Sequence, residues 1–232
     1  ARILSGGTDY LVDLKHVSEA PHVVIDVSRI EELKGIEIKN NCLRIGAGVT
    51  HTEIMQNSLI KKHVPAMIDA AHTVGAVQTR NLGTLGGNLV TCVPSMDSGP
   101  TLLALDAMVN IISEEGKRQS SLADFFVAPR KTSLKPNELL LDIVVPKESL
   151  GKPAGFIKFG LRKGQALALV NGASAFWTKK GKFKDVRIAL GAVAPVVMRA
   201  SKAEAILEGN TVSEDLILEA ARFAVSEAKP ID

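Results

Sequence analysis

The sequence is poor in the residues that build metal sites. It contains only two cysteines, Cys42 and Cys92, which are far apart and lack the paired spacing of zinc or iron–sulfur ligands. The histidines have no acidic residue at ligand spacing, which is typical of surface or hydrogen-bonded core histidines. We therefore expect this chain to bind no metal and to carry no cluster of its own. The histidines concerned are His16, His22, His51, His63 and His72.

Long apolar runs and an excess of one charge are also missing. No apolar run is long enough to cross a bilayer, and the first residues do not form a basic stretch followed by an apolar signal core. This pattern predicts an intracellular, cytoplasmic protein. The 28 basic and 25 acidic residues are mixed along the chain, which argues against nucleic acid as the main partner. With 232 residues, 46% of them hydrophobic, the chain has enough apolar material for a core and enough length for two domains.

Apolar periodicity and turn signals divide the chain into short elements. The segment Arg2 to Leu4 predicts a strand, followed by a glycine loop and a helix. Leu139 to Val145, which ends at Pro146, predicts an edge strand. The other expected elements are a strand at His22 to Val27, a hairpin over Gly35 to Gly46 around Asn40-Asn41, a helix capped by Thr50 and Glu53, a helix from Pro65 to about Val74, strands around Phe156 to Leu161, Ala173 to Trp177 and Val186 to Leu190, and helices near Ala200 to Leu207 and Glu214 to Ala228.

One segment has the composition of a linker. Glu148 to Pro153 contains Gly151 and Lys152 just before the proline, and such residues interrupt regular structure. We place a domain boundary there, with a first domain over residues 1–150 and a smaller α+β domain over residues 151–232.

The first glycine loop is Ser5 to Asp9 (SGGTD). Adjacent glycines followed by a hydroxyl side chain can turn several backbone N–H groups toward one point, and such a nest beside the start of a helix binds phosphate. A tight turn that needs a positive φ angle explains this loop equally well.

The second glycine loop, Thr84 to Asn88 (TLGGN), predicts a second nest, so that two loops would clamp one diphosphate. Thr84 and Asn88 could also bind phosphate or sugar hydroxyls, and Asp97 follows as an acceptor for such hydroxyls. Neither loop has the Gly-x-Gly-x-x-Gly spacing of a dinucleotide-binding fold or the Gly-Lys-Ser/Thr end of a nucleoside triphosphatase loop. By themselves, the loops predict a nucleotide or another phosphorylated ligand.

Several segments, taken together and in order, resemble the FAD subunit of the xanthine dehydrogenase and carbon monoxide dehydrogenase family. The resemblance covers essentially the whole chain. One glycine loop is common, but this pair, with the acidic residue and the basic stretch that follow, is quite specific. The matching segments are Leu4 to Leu11 (LSGGTDYL), Arg80 to Asn88 (RNLGTLGGN), Pro94 to Asp97 (PSMD), Leu102 to Ala107 (LLALDA) and Phe156 to Val170 (FIKFGLRKGQALALV).

The resemblance implies an α+β fold and an electron-transfer function. The expected fold is a p-cresol-methylhydroxylase-type FAD domain of two α/β subdomains, followed by the C-terminal domain of the carbon monoxide dehydrogenase type. The chain would be an oxidoreductase subunit in a hetero-oligomer. A large partner would carry the molybdopterin cofactor, a small partner would carry two [2Fe–2S] clusters, and FAD in this chain would pass electrons to NAD or another acceptor.

The resemblance also assigns site residues, none of them to bond-making catalysis. One side of the FAD diphosphate would be lined by Leu4, Ser5, Gly6, Gly7, Thr8 and Asp9. The other side would be held by Thr84, Gly86, Gly87 and Asn88. Asp97 would reach the sugar or ribitol, and Leu140 and Lys158 would approach the flavin. Taken alone, Lys158 resembles a solvated surface lysine, and only the resemblance places it near the ring.

Two departures from the family pattern modify these expectations. Val74 and Leu167 stand where several members have an aromatic residue against the flavin, so aliphatic packing is expected instead. The family also has further segments before the first loop and after the last helix, and we therefore expect a truncated chain.

Two other functions remain open from the sequence. A stand-alone flavoenzyme of the same fold would need a polar catalytic cluster, and no histidine pairs with a carboxylate at a recognisable spacing. A non-enzymatic nucleotide-binding module would use the loops for a regulatory ligand or only as turns, and it would show no flavin spectrum after reconstitution.

Overall fold

The computed structural model describes residues 1–16, 19 and 21–231. Within these ranges the chain forms an α+β fold, as expected, with a five-stranded sheet, a four-stranded sheet and two small two-stranded sheets. No helix in these ranges is long and apolar enough to cross a membrane.

The elements are mostly short, and the longest are β11 with 12 residues and α10 with 14. The strands are β1 (Arg2–Leu4), β2 (Val24–Asp26), β3 (Ile36–Lys39), β4 (Cys42–Gly46), β5 (Met108–Ser113), β6 (Gly116–Ser121), β7 (Phe126–Ala128), β8 (Lys131–Thr132), β9 (Leu139–Val145), β10 (Ala154–Gly160), β11 (Ala168–Lys179), β12 (Lys182–Gly191) and β13 (Met198–Arg199). The helices are α1 (Tyr10–Asp13), α2 (His51–Gln56), α3 (Ser58–His63), α4 (Ala66–Thr73), α5 (Val77–Leu82), α6 (Leu85–Thr91), α7 (Ser98–Ala104), α8 (Leu122–Phe125), α9 (Ser201–Leu207) and α10 (Glu214–Glu227).

Local sequence signals explain the first half of the fold. The β3–β4 hairpin turns at Asn40 and Asn41, which both have positive φ angles, a conformation that asparagine tolerates better than most residues. Helix α2 begins with the predicted capping box, in which the Thr50 side chain accepts a hydrogen bond from the Glu53 amide and the Glu53 side chain accepts one from the Thr50 amide. The amide of His51, the first residue of α2, donates to the carbonyl of Gly83, directly before the second glycine loop.

The prediction of an edge strand at the end of the first region is wrong. The five-stranded sheet has the order β3-β4-β9-β5-β6, so β9 is its central strand, paired antiparallel with β4 and β5. Most side chains of β9 are buried, on both faces of the sheet. Pro146 follows the last residue of β9 and therefore removes no hydrogen bond from the sheet.

The second region contains the four-stranded antiparallel sheet β10-β11-β12-β13. The turn between β11 and β12 is formed by Lys180 and Gly181, which both have positive φ angles. Helices α9 and α10 pack on each other beside β12, around a small core that includes Phe183 and Leu207.

The main core crosses the predicted domain boundary. Helix α7 is buried at all seven residues and contacts both β11 and β12. Ala173 and Ala189 of the second region belong to the same apolar cluster as the residues of β9. In the predicted linker, Gly151 donates a backbone hydrogen bond to His63, and Lys152 is fully buried with its Nζ atom 2.5 Å from Asp185. The boundary after residue 150 stays a prediction.

Candidate functional site

The first glycine loop joins β1 to α1. Strands β1 and β2 pair in parallel, which fixes the loop at the end of β1. Gly7 has a φ of 72°, a left-handed conformation that glycine adopts without strain. In the part of the chain that the structure describes, no acceptor receives a hydrogen bond from the amides of Gly6, Gly7, Thr8 or Asp9. Consecutive amide donors of this kind are suited to an anionic ligand.

The second glycine loop uses its amides differently. Thr84 caps α6 by accepting a hydrogen bond from the Gly87 amide at 3.1 Å. The amides of the next residues donate to carbonyls within the chain: Leu85 to Val49, Gly86 to Ala47, and Asn88 to Thr84. The four amides that the sequence suggested as a second nest are therefore already engaged. Side chains of this loop remain as donors and acceptors.

The two glycine loops touch each other. The hydroxyl oxygens of Ser5 and Thr84 are 3.2 Å apart. A Cβ atom on Gly6 would lie 1.9 Å from the carbonyl oxygen of Leu82, and one on Gly83 would lie 3.3 Å from the Thr8 hydroxyl. Gly6 therefore has to be glycine because the end of α5, which leads into the second loop, approaches it closely, and not because of a special φ angle.

The paired glycines of the second loop differ from each other. A Cβ atom on Gly86 would lie 2.6 Å from the Ala47 Cβ and 2.7 Å from its carbonyl oxygen, so Gly86 allows α6 to pack against the end of β4. At Gly87 an added Cβ would meet only the Thr84 hydroxyl, at 2.9 Å. Gly86 has a packing role, whereas Gly87 faces a more open space.

Two buried polar atoms in or next to these loops lack a partner among the described residues. They are the hydroxyl of Tyr10, the first residue of α1, and the Oδ1 atom of Asn88. Because such atoms are costly to bury, they are often satisfied by a ligand or water. These atoms lie close to the free amides of the first loop and to the hydroxyl side chains of Ser5, Thr8 and Thr84. Together they form a set of donors and acceptors that fits the diphosphate and sugar hydroxyls of FAD.

His51 is a site residue that the sequence analysis missed. The residue is 1% exposed, its Nδ1 atom has no hydrogen-bond partner among the described residues, and its amide donates to the carbonyl of Gly83. Burial, helped by the positive charge of Arg80, lowers the pKa of His51 to about 4. The imidazole beside the second loop is therefore neutral at physiological pH. The capping box located His51 at the start of a helix, but nothing in the sequence indicated its burial.

The side chains of Asp97 and Lys158 form an ion pair with each other, although the sequence analysis assigned them separate contacts with the cofactor. The Lys158 Nζ atom is 2.6 Å from one carboxylate oxygen of Asp97, and it also donates to the carbonyl of Thr73 at 3.2 Å. The other oxygen of Asp97 accepts a hydrogen bond from Asn171 at 2.8 Å. The Lys158 side chain is only 9% exposed, so it is not the solvated lysine that the residue type alone suggests. Asn171, a second residue that the sequence analysis missed, completes this network.

A cleft of about 930 Å³ opens next to this network, between the α4–α5 junction and the β10–β11 hairpin. Its lining includes the cationic residues Arg80, Lys158, Arg162 and Lys163, and no acidic residue. Among the other predicted flavin neighbours, Leu140 is buried in the core of the five-stranded sheet, and Leu167 is strongly exposed on the hairpin.

Two families match the chain, one after the other. Residues 1–148 match the family described as the FAD binding domain in molybdopterin dehydrogenase. Residues 156–232 match the CO dehydrogenase flavoprotein C-terminal domain.

Individual proteins match over most of the chain. The xanthine dehydrogenase FAD-binding subunit of Escherichia coli O157:H7 is 32% identical over 88% of this chain and 70% of its own length. The nicotinate dehydrogenase FAD-subunit of Eubacterium barkeri is 36% identical over 75% of this chain, and the match spans 60% of that subunit. A carbon monoxide dehydrogenase structure from Hydrogenophaga pseudoflava, in a form that lacks the Mo-pyranopterin moiety of its molybdenum cofactor, superposes with a TM-score of 0.95 at 28% identity, over all of this chain and 80% of that one.

Proposed function

The chain belongs to the FAD-binding subunits of the molybdenum hydroxylase family, and from this premise we propose that it accepts electrons from iron–sulfur clusters in a small partner chain and delivers them to NAD or another acceptor. A large partner with the molybdopterin cofactor would oxidise the substrate. FAD, when bound, supplies the conversion between single-electron and two-electron transfer. The cytoplasmic location remains part of the proposal.

The observation that supports this function most directly is the first glycine loop. The amides from Gly6 to Asp9 have no acceptor among the described residues, and the loop lies against the second loop through the Ser5 and Thr84 hydroxyls. We assign the diphosphate to these amides, because backbone N–H groups stabilise an anion without adding a mobile charge.

The second loop would contribute side chains and position. Thr84 and Asn88 carry the polar atoms available there, since the amides of the loop are engaged within the chain. Gly86 would act indirectly by allowing α6 to approach β4, whereas Gly87 would leave room for the ligand. Leu4 would pack beside the first loop.

We assign the flavin ring of FAD, which we call its flavin end, to the cleft and the residues around it. Lys158 lines the cleft, and its charge is balanced by Asp97, so a positive group is held in place without being free in solvent. Asp97 would act mainly by holding Lys158, in addition to any contact with ribitol. Leu140 would support the site from the core, because its side chain is buried.

A comparison of FAD with FMN tests the proposal. FMN lacks the second phosphate and the adenosine half, so we expect it to bind at least roughly tenfold more weakly, since each lost charge-assisted hydrogen bond costs on the order of 1–3 kcal/mol. Binding is followed by the visible absorption of the flavin after desalting. Equal affinity for FMN, or no retention of FAD, would contradict the assignment. Oxidation of a substrate by the isolated chain would instead favour a stand-alone flavoenzyme.

A further inference from the structure

Asn171 is buried next to the proposed flavin site but does not line the cleft. In the four-stranded sheet it lies directly opposite Lys158 of β10 on one side and Gly191 of β12 on the other. Directly opposed residues present their side chains on the same face of a sheet, so Asn171 and Lys158 are neighbours on the face that meets Asp97. The two side chains hold one carboxylate between them.

The hydrogen bonds of Asn171 fix the orientation of its side-chain amide. The Nδ2 atom donates to the carbonyl of Met96 at 3.0 Å and to the Oδ1 atom of Asp97 at 2.8 Å. The opposite orientation would turn the Oδ1 atom of Asn171 toward these two acceptors, which would repel it. Gly191 leaves the space that this Oδ1 atom occupies, because a Cβ atom at Gly191 would overlap with it. The amide therefore has one favourable orientation, in which it donates to Asp97.

The Asp97 carboxylate divides its two oxygens between Asn171 and Lys158. The Oδ1 atom accepts from Asn171, and the Oδ2 atom lies 2.6 Å from the Nζ atom of Lys158. Lys158 has three N–H donors, and the carbonyl of Thr73 receives a second one at 3.2 Å. Within the ranges that the structure describes, no acceptor receives the third, and Lys158 lines the cleft. The third donor is therefore available to a ligand in the cleft, and its direction depends on how Asp97 is held.

The same arrangement of amide, carboxylate and cation occurs in the five-stranded sheet. Asn110 donates to Asp142 at 2.6 Å, and Asp142 pairs with Arg44 at 2.8 Å. None of these three residues lines the cleft. A substitution of Asn110 therefore removes the same kind of hydrogen bond without a connection to the flavin site.

From these contacts we propose that Asn171 is a positioning residue that sets the reduction potential of the bound flavin through Asp97 and Lys158. The inference rests on the proposed function. A positive charge held near the flavin ring favours the reduced, more negative flavin and so raises the reduction potential. Loss of the Asn171 donor leaves the charge of Asp97 less balanced and Lys158 less firmly held. Both effects lower the potential, although no residue that lines the cleft has changed.

The first test is a redox titration of the protein loaded with FAD, followed by the visible absorption of the flavin. Asn171→Leu preserves the approximate volume of the side chain and removes its donor. We expect the ratio of reduced to oxidised FAD at a fixed potential to fall about tenfold, which for a two-electron couple corresponds to roughly 30 mV. Asn110→Leu should leave the potential unchanged. In a Lys158→Met background, Asn171→Leu should cause no further shift, because its effect passes through Lys158.

The second test does not depend on FAD. An amine-reactive ester is added to the FAD-free protein, and mass spectrometry follows the labelling of Lys158. We expect Asn171→Leu to accelerate this labelling roughly tenfold, because a loosened Asp97 releases the ammonium group. Lys152, which is fully buried and paired with Asp185, is the internal reference and should stay unlabelled. Asn171→Ser, which leaves room for water, replaces the leucine variant if that variant does not fold.

Several results would overturn the inference. These are an unchanged flavin potential in the Asn171 variant, an equal shift in Asn110→Leu, a full further shift in the Lys158→Met background, and unchanged labelling of Lys158. Failure of the wild-type protein to retain FAD would contradict the proposed function. The labelling experiment decides separately whether Asn171 positions Lys158.

Discussion

At the scale of single residues, Gly6 controls the contact between the two glycine loops. Alanine at this position would place its Cβ atom 1.9 Å from the Leu82 carbonyl oxygen, and backbone cannot move aside as a flexible side chain can. We expect Gly6→Ala to lose FAD and to lower the free energy of unfolding by about 1–3 kcal/mol. Retained flavin and a thermal unfolding curve measure both effects. Gly155→Ala, where an added Cβ meets no atom within 4 Å, is the matched control.

The buried imidazole of His51 predicts that the free energy of unfolding depends on pH. The pKa of His51 is about 4 in the folded protein and near 6.5 in the unfolded chain, so below pH 6.5 the unfolded state binds a proton that the folded state does not. Stability is therefore unaffected above pH 7 and falls as the pH decreases toward 4, by about 2 kcal/mol between pH 7 and pH 5.

Urea unfolding at these two pH values measures this loss. In His51→Gln, which is neutral throughout, the part of the pH dependence due to His51 should disappear. His72→Gln, at an exposed position, should leave it unchanged. An identical pH dependence in the wild-type chain and His51→Gln would show that the buried imidazole is not responsible.

At the scale of elements, the two glycines at the start of α6 should respond differently to the same substitution. Gly86→Ala would push its Cβ atom into Ala47 and separate α6 from β4, so we expect a loss of stability of about 1–3 kcal/mol together with the loss of FAD. Gly87→Ala meets only the Thr84 hydroxyl and should remain close to wild type in stability while binding FAD less tightly. Chemical unfolding and flavin titration of both variants separate packing from binding, and equal stabilities would contradict the packing role of Gly86.

The sequence predicts those elements whose signals are local. The asparagines of the β3–β4 turn and the capping box of α2 each act through neighbours a few residues away. The central position of β9 follows instead from pairing with β4 and β5, which lie far away in the sequence. The hydrogen bonds of the amides at the start of α6 also depend on residues that are distant in the sequence. Their acceptors, Ala47 and Val49, belong to a segment that only the fold brings close to α6.

At the scale of the whole molecule, the ion pair between Asp97 and Lys158 joins the two regions of the chain. Lys158→Met would leave the Asp97 carboxylate buried with only Asn171 as a side-chain partner, and we expect a loss of about 3–5 kcal/mol in the free energy of unfolding. Asp97→Asn combined with Lys158→Met removes both charges and should be less destabilising than Lys158→Met alone. Urea unfolding of the single and double variants gives the coupling free energy between Asp97 and Lys158. Additive effects would mean that the two charges do not depend on each other.

The coverage of α7 by β11 and β12 has a consequence for how the protein is made. The apolar helix Ser98–Ala104 leaves the ribosome well before residues 168–191, which cover it, have been synthesised. For tens of residues of translation the nascent chain therefore exposes an apolar helix and, at Asp97, a carboxylate whose cationic partner does not yet exist. A chaperone that shields this stretch would act at that stage, and the cofactor could be loaded only after the last strands have closed over the helix.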